Sequence, residues 1–163
     1  MFDLDRFKRA QQDSRSGFDV ALGELQRGHK QSHWIWYVFP QLAGLGHSSM
    51  AVRYGLQGAA EATAYVEDAL LLERLLAAVR AVAKQLESKP PRPLSELMGS
   101  DIDALKLVSS MTLFREIAHR LNESHPSQEL QDLEKQATAI LQVAAAQGYP
   151  ACRFTRQAFS LPG

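Results

Sequence analysis

The chain has 163 residues, 45% of them hydrophobic and 22% charged, which is an ordinary globular composition and excludes a disordered, collagen-like or disulfide-stapled chain. Eighteen basic side chains against eighteen acidic ones leave a formal net charge of +0, so no nucleic-acid partner and no polybasic membrane-surface role is expected. A lone cysteine (Cys152), acids at the N-terminus where a secretory signal carries bases, and the lack of a long apolar run point to a cytoplasmic protein that does not cross a membrane.

From Leu4 to about Lys30, Phe7, Phe18, Ala21, Leu22 and Leu25 recur at helical spacing, with Ser16 and Gly17 interrupting them. The pattern predicts two short helices, or one that is broken there. His33 to Leu42, HWIWYVFPQL, is the most apolar and aromatic stretch. Periodicity alone does not separate helix from strand in it. A short helix ended by Pro40 is favoured, because the other segments are helical and a lone strand would have no partner. Gly44 to Ser48 forms a tight connection, and Ser48 or Ser49 caps a helix through Met50, Val52, Tyr54 and Leu56. Gly58 allows a bend before Ala59 to Glu67. Asp68 then caps the most amphipathic helix, with Leu72, Leu75, Leu76, Val79, Val82 and Leu86 every three or four residues.

Ser88 to Pro93 is linker-like but too short to divide domains, and its prolines set the angle between consecutive helices. Ser100 and Asp103, at capping-box spacing, open a helix that runs to about Asn122. Pro126 and Ser127 open another through Leu130, Leu133, Ala137, Ile140, Leu141 and Ala144, closed by Gly148 and Pro150. The tail, Tyr149 to Gly163, is expected to pack back through Phe154 and Phe159. The sum is an all-α fold, a single-domain bundle of about six or seven helices over residues 1–163.

The helix from Asp101 holds the most informative polar groups. At about 100° per residue, Asp103, Lys106 and Ser110 fall within roughly 60° of one another, while Leu107, Met111 and Phe114 form a second, apolar stripe. A helix buried on two sides must satisfy Lys106, Ser109, Ser110 and Thr112. Either the hydroxyls bond back to carbonyls four residues earlier and Lys106 pairs with Asp103, or these groups line a pocket in which Lys106 binds an anion. In HWIWYVFPQL, Trp34, Trp36 and Tyr37 are either core or surfaces for a ring to stack on. Gln41, an amide after an apolar run, must find partners in the Gly44–Gly46 turn or in a ligand.

Weaker signals surround these. Gly44, Leu45 and Gly46 ahead of Ser48 place backbone N–H groups before a helix start, but the pattern is neither a Walker loop nor a dinucleotide fingerprint, and no cofactor is indicated. His29 and His33 share a helical spacing without a third ligand, so no metal is expected. Cys152 sits in the tail without a nucleophile elbow around it. Glu61 is either a general base or a solvated carboxylate near a helix N-terminus.

HWIWYVFPQLAGLG with Ser48, then Glu61, Ala62, Ala64 and Tyr65, then Asp103, Lys106, Leu107 and SSMTLF (Ser109 to Phe114), together resemble the bacterial family known as domain of unknown function 1810. The resemblance runs from about Leu4 to Phe114, with a family-like core to about residue 122 and a divergent C-terminal part over 127–163. It implies a compact, mostly α-helical cytoplasmic protein and carries no established activity. The positions it emphasises are His33, Trp34, Trp36, Pro40, Gln41, Gly44, Gly46, Ser48, Tyr54, Glu61, Lys106, Ser109 and Ser110. After Tyr65, Val66, Glu67 and Asp68 depart from the Leu-His-Pro that is usual there, and Met98-Gly99 stands for a common Phe-Gly.

Two functional expectations follow. One is a pocket for a nucleotide-like or anionic small molecule between HWIWYVFPQL and the Asp103–Ser110 face, with ligand-binding candidates His33, Trp34, Trp36, Gln41, Gly44, Gly46, Ser48, Tyr54, Lys106, Ser109 and Ser110. As an enzyme it would hydrolyse an N-glycosidic or phosphate ester bond, with Glu61 or Asp103 as base and Lys106 as electrostatic stabiliser. The other is a non-catalytic interaction module, monomeric or homodimeric, suggested by the Leu70–Leu72 triplet.

Overall fold

In a computed structural model that describes residues 1–159, ten helices follow one another: α1 (Asp5–Gln11), α2 (Phe18–Arg27), α3 (Ile35–Val38), α4 (Ser49–Tyr54), α5 (Gly58–Glu67), α6 (Ala69–Gln85), α7 (Leu94–Met98), α8 (Asp101–Ser124), α9 (Gln128–Ala146) and α10 (Arg153–Ala158). The all-α expectation holds, and the count of six or seven helices is corrected upward. Helices α7 and α10, which the sequence pattern did not announce, have only five and six residues, so a 3.6-residue period barely completes within them. The last part of the expected tail, residues 160–163, lies outside the described residues.

Local signals set most boundaries. The side-chain oxygens of Ser48, Asp68, Ser100 and Ser127 accept the N–H groups of Ala51, Leu71, Asp103 and Leu130, each at 3.1 Å, and so satisfy orphan donors at the starts of α4, α6, α8 and α9. Pro40 biases Phe39 out of the helical region (φ −123°, ψ 75°), and α3 stops at Val38. Gln41 and Ala43 then pair with Leu56 through Leu56 N–H to Gln41 O (3.0 Å) and Ala43 N–H to Leu56 O (2.9 Å), a single parallel bridge that ties the segment after α3 to the end of α4.

Helix α8 is the axis of the molecule. Its 24 residues span about 36 Å, and α3, α5, α7, α9 and α10 all pack on it. Burial on several sides explains why eleven of its residues, including Ser109, Ser110 and Thr112, are inaccessible. Helix α6 closes the other side, between α2 and α9. Aromatic rings join the N-terminal segments to this axis: Phe7 meets Tyr65 edge-on with centroids 5.1 Å apart, and Tyr65 meets Phe114 at 5.5 Å. The linker after α6 is pinned by Gln147, whose amide donates to Arg92 O (3.0 Å) and accepts the Leu94 N–H (2.7 Å).

Candidate functional site

Four of the predicted binding residues meet in one cleft. Trp36 from α3, Gln41 from the segment after Pro40, Tyr54 at the end of α4 and Lys106 from α8 line it, with Ile35, Phe39, Ala51 and Gly55 as apolar or backbone walls. The cleft has about 220 Å³ of empty space, its open mouth included, of which only about 10 Å³ is wide enough for a water. The enclosed part therefore admits one water-sized group.

The polar atoms around it have unmade bonds. The Trp36 indole N–H is buried without a hydrogen-bond partner. Among the described residues, neither the Gln41 amide nor the Tyr54 hydroxyl has a protein partner, although Tyr54 is only 6% exposed. The Lys106 ammonium lies 5.9 Å over the Trp36 ring and 3.9 Å from one oxygen of Asp103, a weak pairing on both counts. The other Asp103 oxygen sits 2.8 Å from the buried ammonium of Lys30, which also donates to Ser32 O at 2.6 Å.

The remaining candidates lie elsewhere. His33 is exposed, and its carbonyl accepts from the Tyr37 hydroxyl at 3.2 Å. Trp34 is fully buried and donates its indole N–H to Glu24 at 2.9 Å. The glycine turn is shaped by packing: Gly44 has φ +99° and a Cβ there would stand 3.1 Å from the Phe154 ring, while one on Gly46 would stand 2.9 Å from Ala51. Ser48 is occupied as a cap. Ser109 and Thr112 donate back to Leu105 O (3.0 Å) and Val108 O (2.7 Å), and Thr112 also accepts the Cys152 N–H (3.1 Å). Ser110, wholly buried one turn beyond Lys106, has no partner for its hydroxyl and does not line the cleft.

Neither carboxylate candidate lines the cleft. Glu61 is 1% exposed, which corrects the solvated alternative. Arg6 holds it with bonds of 2.8 and 3.2 Å, the Gln57 N–H donates to it at 2.8 Å, and the same guanidinium caps α4 through the carbonyls of Arg53 (2.8 Å) and Gly55 (3.2 Å). His29 Nδ1 lies 2.9 Å from Glu96 O. Among the described residues, no three His, Cys, Asp or Glu side chains are placed to hold a metal ion, and no helix is long and apolar enough to cross a membrane.

A further buried carboxylate went unnoticed in the sequence. Glu24 is 4% exposed and accepts from Gln31 N–H (2.8 Å), Ser32 N–H (2.9 Å), the Ser32 hydroxyl (2.5 Å) and Trp34. Burial alone would raise its pKa, but these bonds outweigh it and bring it from 4.5 down to about 2. Its signal was readable: about 60° round α2 from Ala21, it borders the apolar face. A groove of about 680 Å³ between α2 and α6 is larger than the cleft, but Arg80 in it is paired with Asp132 at 2.6 Å, and none of the predicted residues lines it.

The family model described as protein of unknown function (DUF1810) matches residues 1–139. The chain belongs to this family. The match extends beyond Asn122 into α9, further than the motifs alone carry the resemblance. A crystal structure of a conserved hypothetical protein from Mycobacterium tuberculosis is similar over 96% of this chain and 95% of its own, at 36% identity and a TM-score of 0.72. No curated protein matches the chain.

Proposed function

We propose that this DUF1810 member binds an anionic or acceptor-rich small molecule at the cleft between α3, α4 and α8. The observation that carries the reading is the convergence of four groups with unmade hydrogen bonds, the Trp36 N–H, the Gln41 amide, the Tyr54 hydroxyl and the Lys106 ammonium, in a space lined by no carboxylate. Of the four, only the Trp36 N–H is buried without a partner; such a donor costs free energy, of the order of 1–3 kcal/mol, and an acceptor that reaches it recovers part of that, whereas Gln41, Tyr54 and Lys106 exchange water for the ligand. The small enclosed volume means that a ligand enters by a narrow polar end and leaves its body at the mouth. Hydrolysis would require a base in reach. Glu61 and Asp103 are held by Arg6 and Lys30, so binding is proposed and turnover is a readout.

The test is a thermal-shift screen against nucleotides, sugar phosphates, ADP-ribose derivatives and carboxylates. Binding to the native state stabilises by about 2.7 kcal/mol at 100 times Kd. A reproducible shift that disappears in Gln41→Ala and Lys106→Ala is expected, and the absence of any shift removes the reading. The alternative, an interaction module or homodimer, draws support from the exposed side chains of Val52, Ile102, Leu105 and Phe154 and, in the Leu70–Leu72 triplet, from Leu70 at 36% exposure. Light scattering that finds only monomer at high concentration removes the homodimer.

A further inference from the structure

The charges and walls of the cleft narrow the ligand class, and this step rests on the binding reading above. Among the described residues, Lys106 is the only ionic one in the lining. Behind it, Lys30, Asp103 and Lys106 form a chain in which one carboxylate serves two ammonium groups, with the shorter contact, 2.8 Å against 3.9 Å, on Lys30. That cluster carries a single surplus positive charge, on the lysine that faces the cleft. Neighbouring guanidinium groups add none to the lining: Arg6 is neutralised by Glu61, and Arg53 lies over the Tyr54 ring at 5.4 Å outside the lining.

A phosphate monoester carries roughly 1.5–2 negative charges near neutral pH and is usually met by several cations or by a row of backbone N–H groups at a helix start. The cleft has neither: it has one cation and three neutral side-chain groups able to donate. Two carboxylate oxygens offer about four lone-pair sites and one negative charge, which matches one ammonium, one indole N–H, one amide and one phenol. Ile35, Phe39, Ala51 and the half-buried face of Trp36 supply hydrocarbon for whatever carries the carboxylate.

We infer that the ligand is a monocarboxylate with an apolar or aromatic body, one of its oxygens filling the water-sized space among Trp36, Gln41 and Tyr54 while the ammonium of Lys106 balances its charge. Two tryptophans make this testable without knowing the natural compound, because Trp34 donates its indole N–H to Glu24 whereas the Trp36 N–H faces no protein partner. The experiment follows the two indole N–H signals of the 15N-labelled full chain by NMR, assigned with Trp36→Phe. Sodium benzoate, sodium hexanoate, inorganic phosphate and adenosine monophosphate are titrated to millimolar concentrations.

The expected result is that benzoate or hexanoate moves the Trp36 signal and leaves that of Trp34 in place. Lys106→Gln, which retains the spectrum of a folded protein, should weaken the effect tenfold or more, while phosphate and adenosine monophosphate leave Trp36 unmoved. If phosphate or the nucleotide moves Trp36 and the carboxylates do not, the carboxylate assignment is overturned and the binding site stands. If carboxylates act equally on the Lys106→Gln protein, the ionic seat is overturned. If no anion moves Trp36, both the inference and the binding reading fall.

Discussion

Replacing Glu24 with Gln isolates a large acid-sensitive contribution to the stability of the fold. The carboxylate accepts four hydrogen bonds in a buried setting, and its pKa falls from 4.5 to about 2. Because the folded-state value is the lower one, the stabilisation is fully present above about pH 4.5 and is lost as the pH falls through about 2, the unfolded chain binding the proton first. At about 1.4 kcal/mol per pH unit, the gap is worth about 3 kcal/mol. Gln imitates the protonated side chain: its carbonyl still accepts from Gln31, Ser32 and Trp34, and the Ser32 hydroxyl reverses to accept from its amide. Urea unfolding of both proteins, followed by tryptophan fluorescence at pH 7, 4, 3 and 2, should show a difference of up to about 3 kcal/mol at neutral pH that closes almost completely by pH 2. At neutral pH this corresponds to a melting temperature lower by roughly 6–12 °C for a chain of this length. The lowered pKa values of Asp13, Asp68 and Asp132 make both proteins acid-sensitive and cancel in the comparison. A difference that stays constant from pH 7 to pH 2, or that is absent at pH 7, refutes the account.

Two further outcomes test a buried ion pair and the backbone at two glycines. Arg6→Ala leaves Glu61, 1% exposed, without its cation and removes the cap on α4, so chemical denaturation should register a loss of about 3–5 kcal/mol. Arg6→Lys, which keeps the charge without the fork, should recover only part of that loss. Gly99→Ala and Gly148→Ala both place a side chain at positive φ (84° and 94°), yet only the Cβ at Gly99 meets backbone, 2.8 Å from Lys30 O. Differential scanning calorimetry should find about 1–2 kcal/mol lost at Gly148 and clearly more at Gly99, and equal losses would contradict the steric reasoning.

The all-α class and most helix starts were legible in the sequence because they depend on groups within a few residues of each other. Ser48, Asp68, Ser100 and Ser127 each cap with an N–H three positions on, Pro40 acts on the residue before it, and Ser109 and Thr112 bond back one turn. The short helices α7 and α10 escape the same reasoning, since a period is barely defined over five or six residues. The divided character of HWIWYVFPQL was also only half readable: Trp34 and Phe39 are core, while Trp36, two residues after Trp34, opens onto solvent.

Which polar groups meet was decided by the tertiary structure alone. Lys106 and Ser110 share a face of α8, but one lines the cleft and the other is wholly buried outside it. Glu61 reads as solvated from its own helix and becomes buried because Arg6, 55 positions earlier, folds back onto it. Asp103 is drawn to Lys30 more closely than to Lys106, its neighbour one turn along. Propensity and capping act over a few residues of backbone, whereas a buried ion pair or a cleft exists only once distant segments have been brought together and water has been expelled between them.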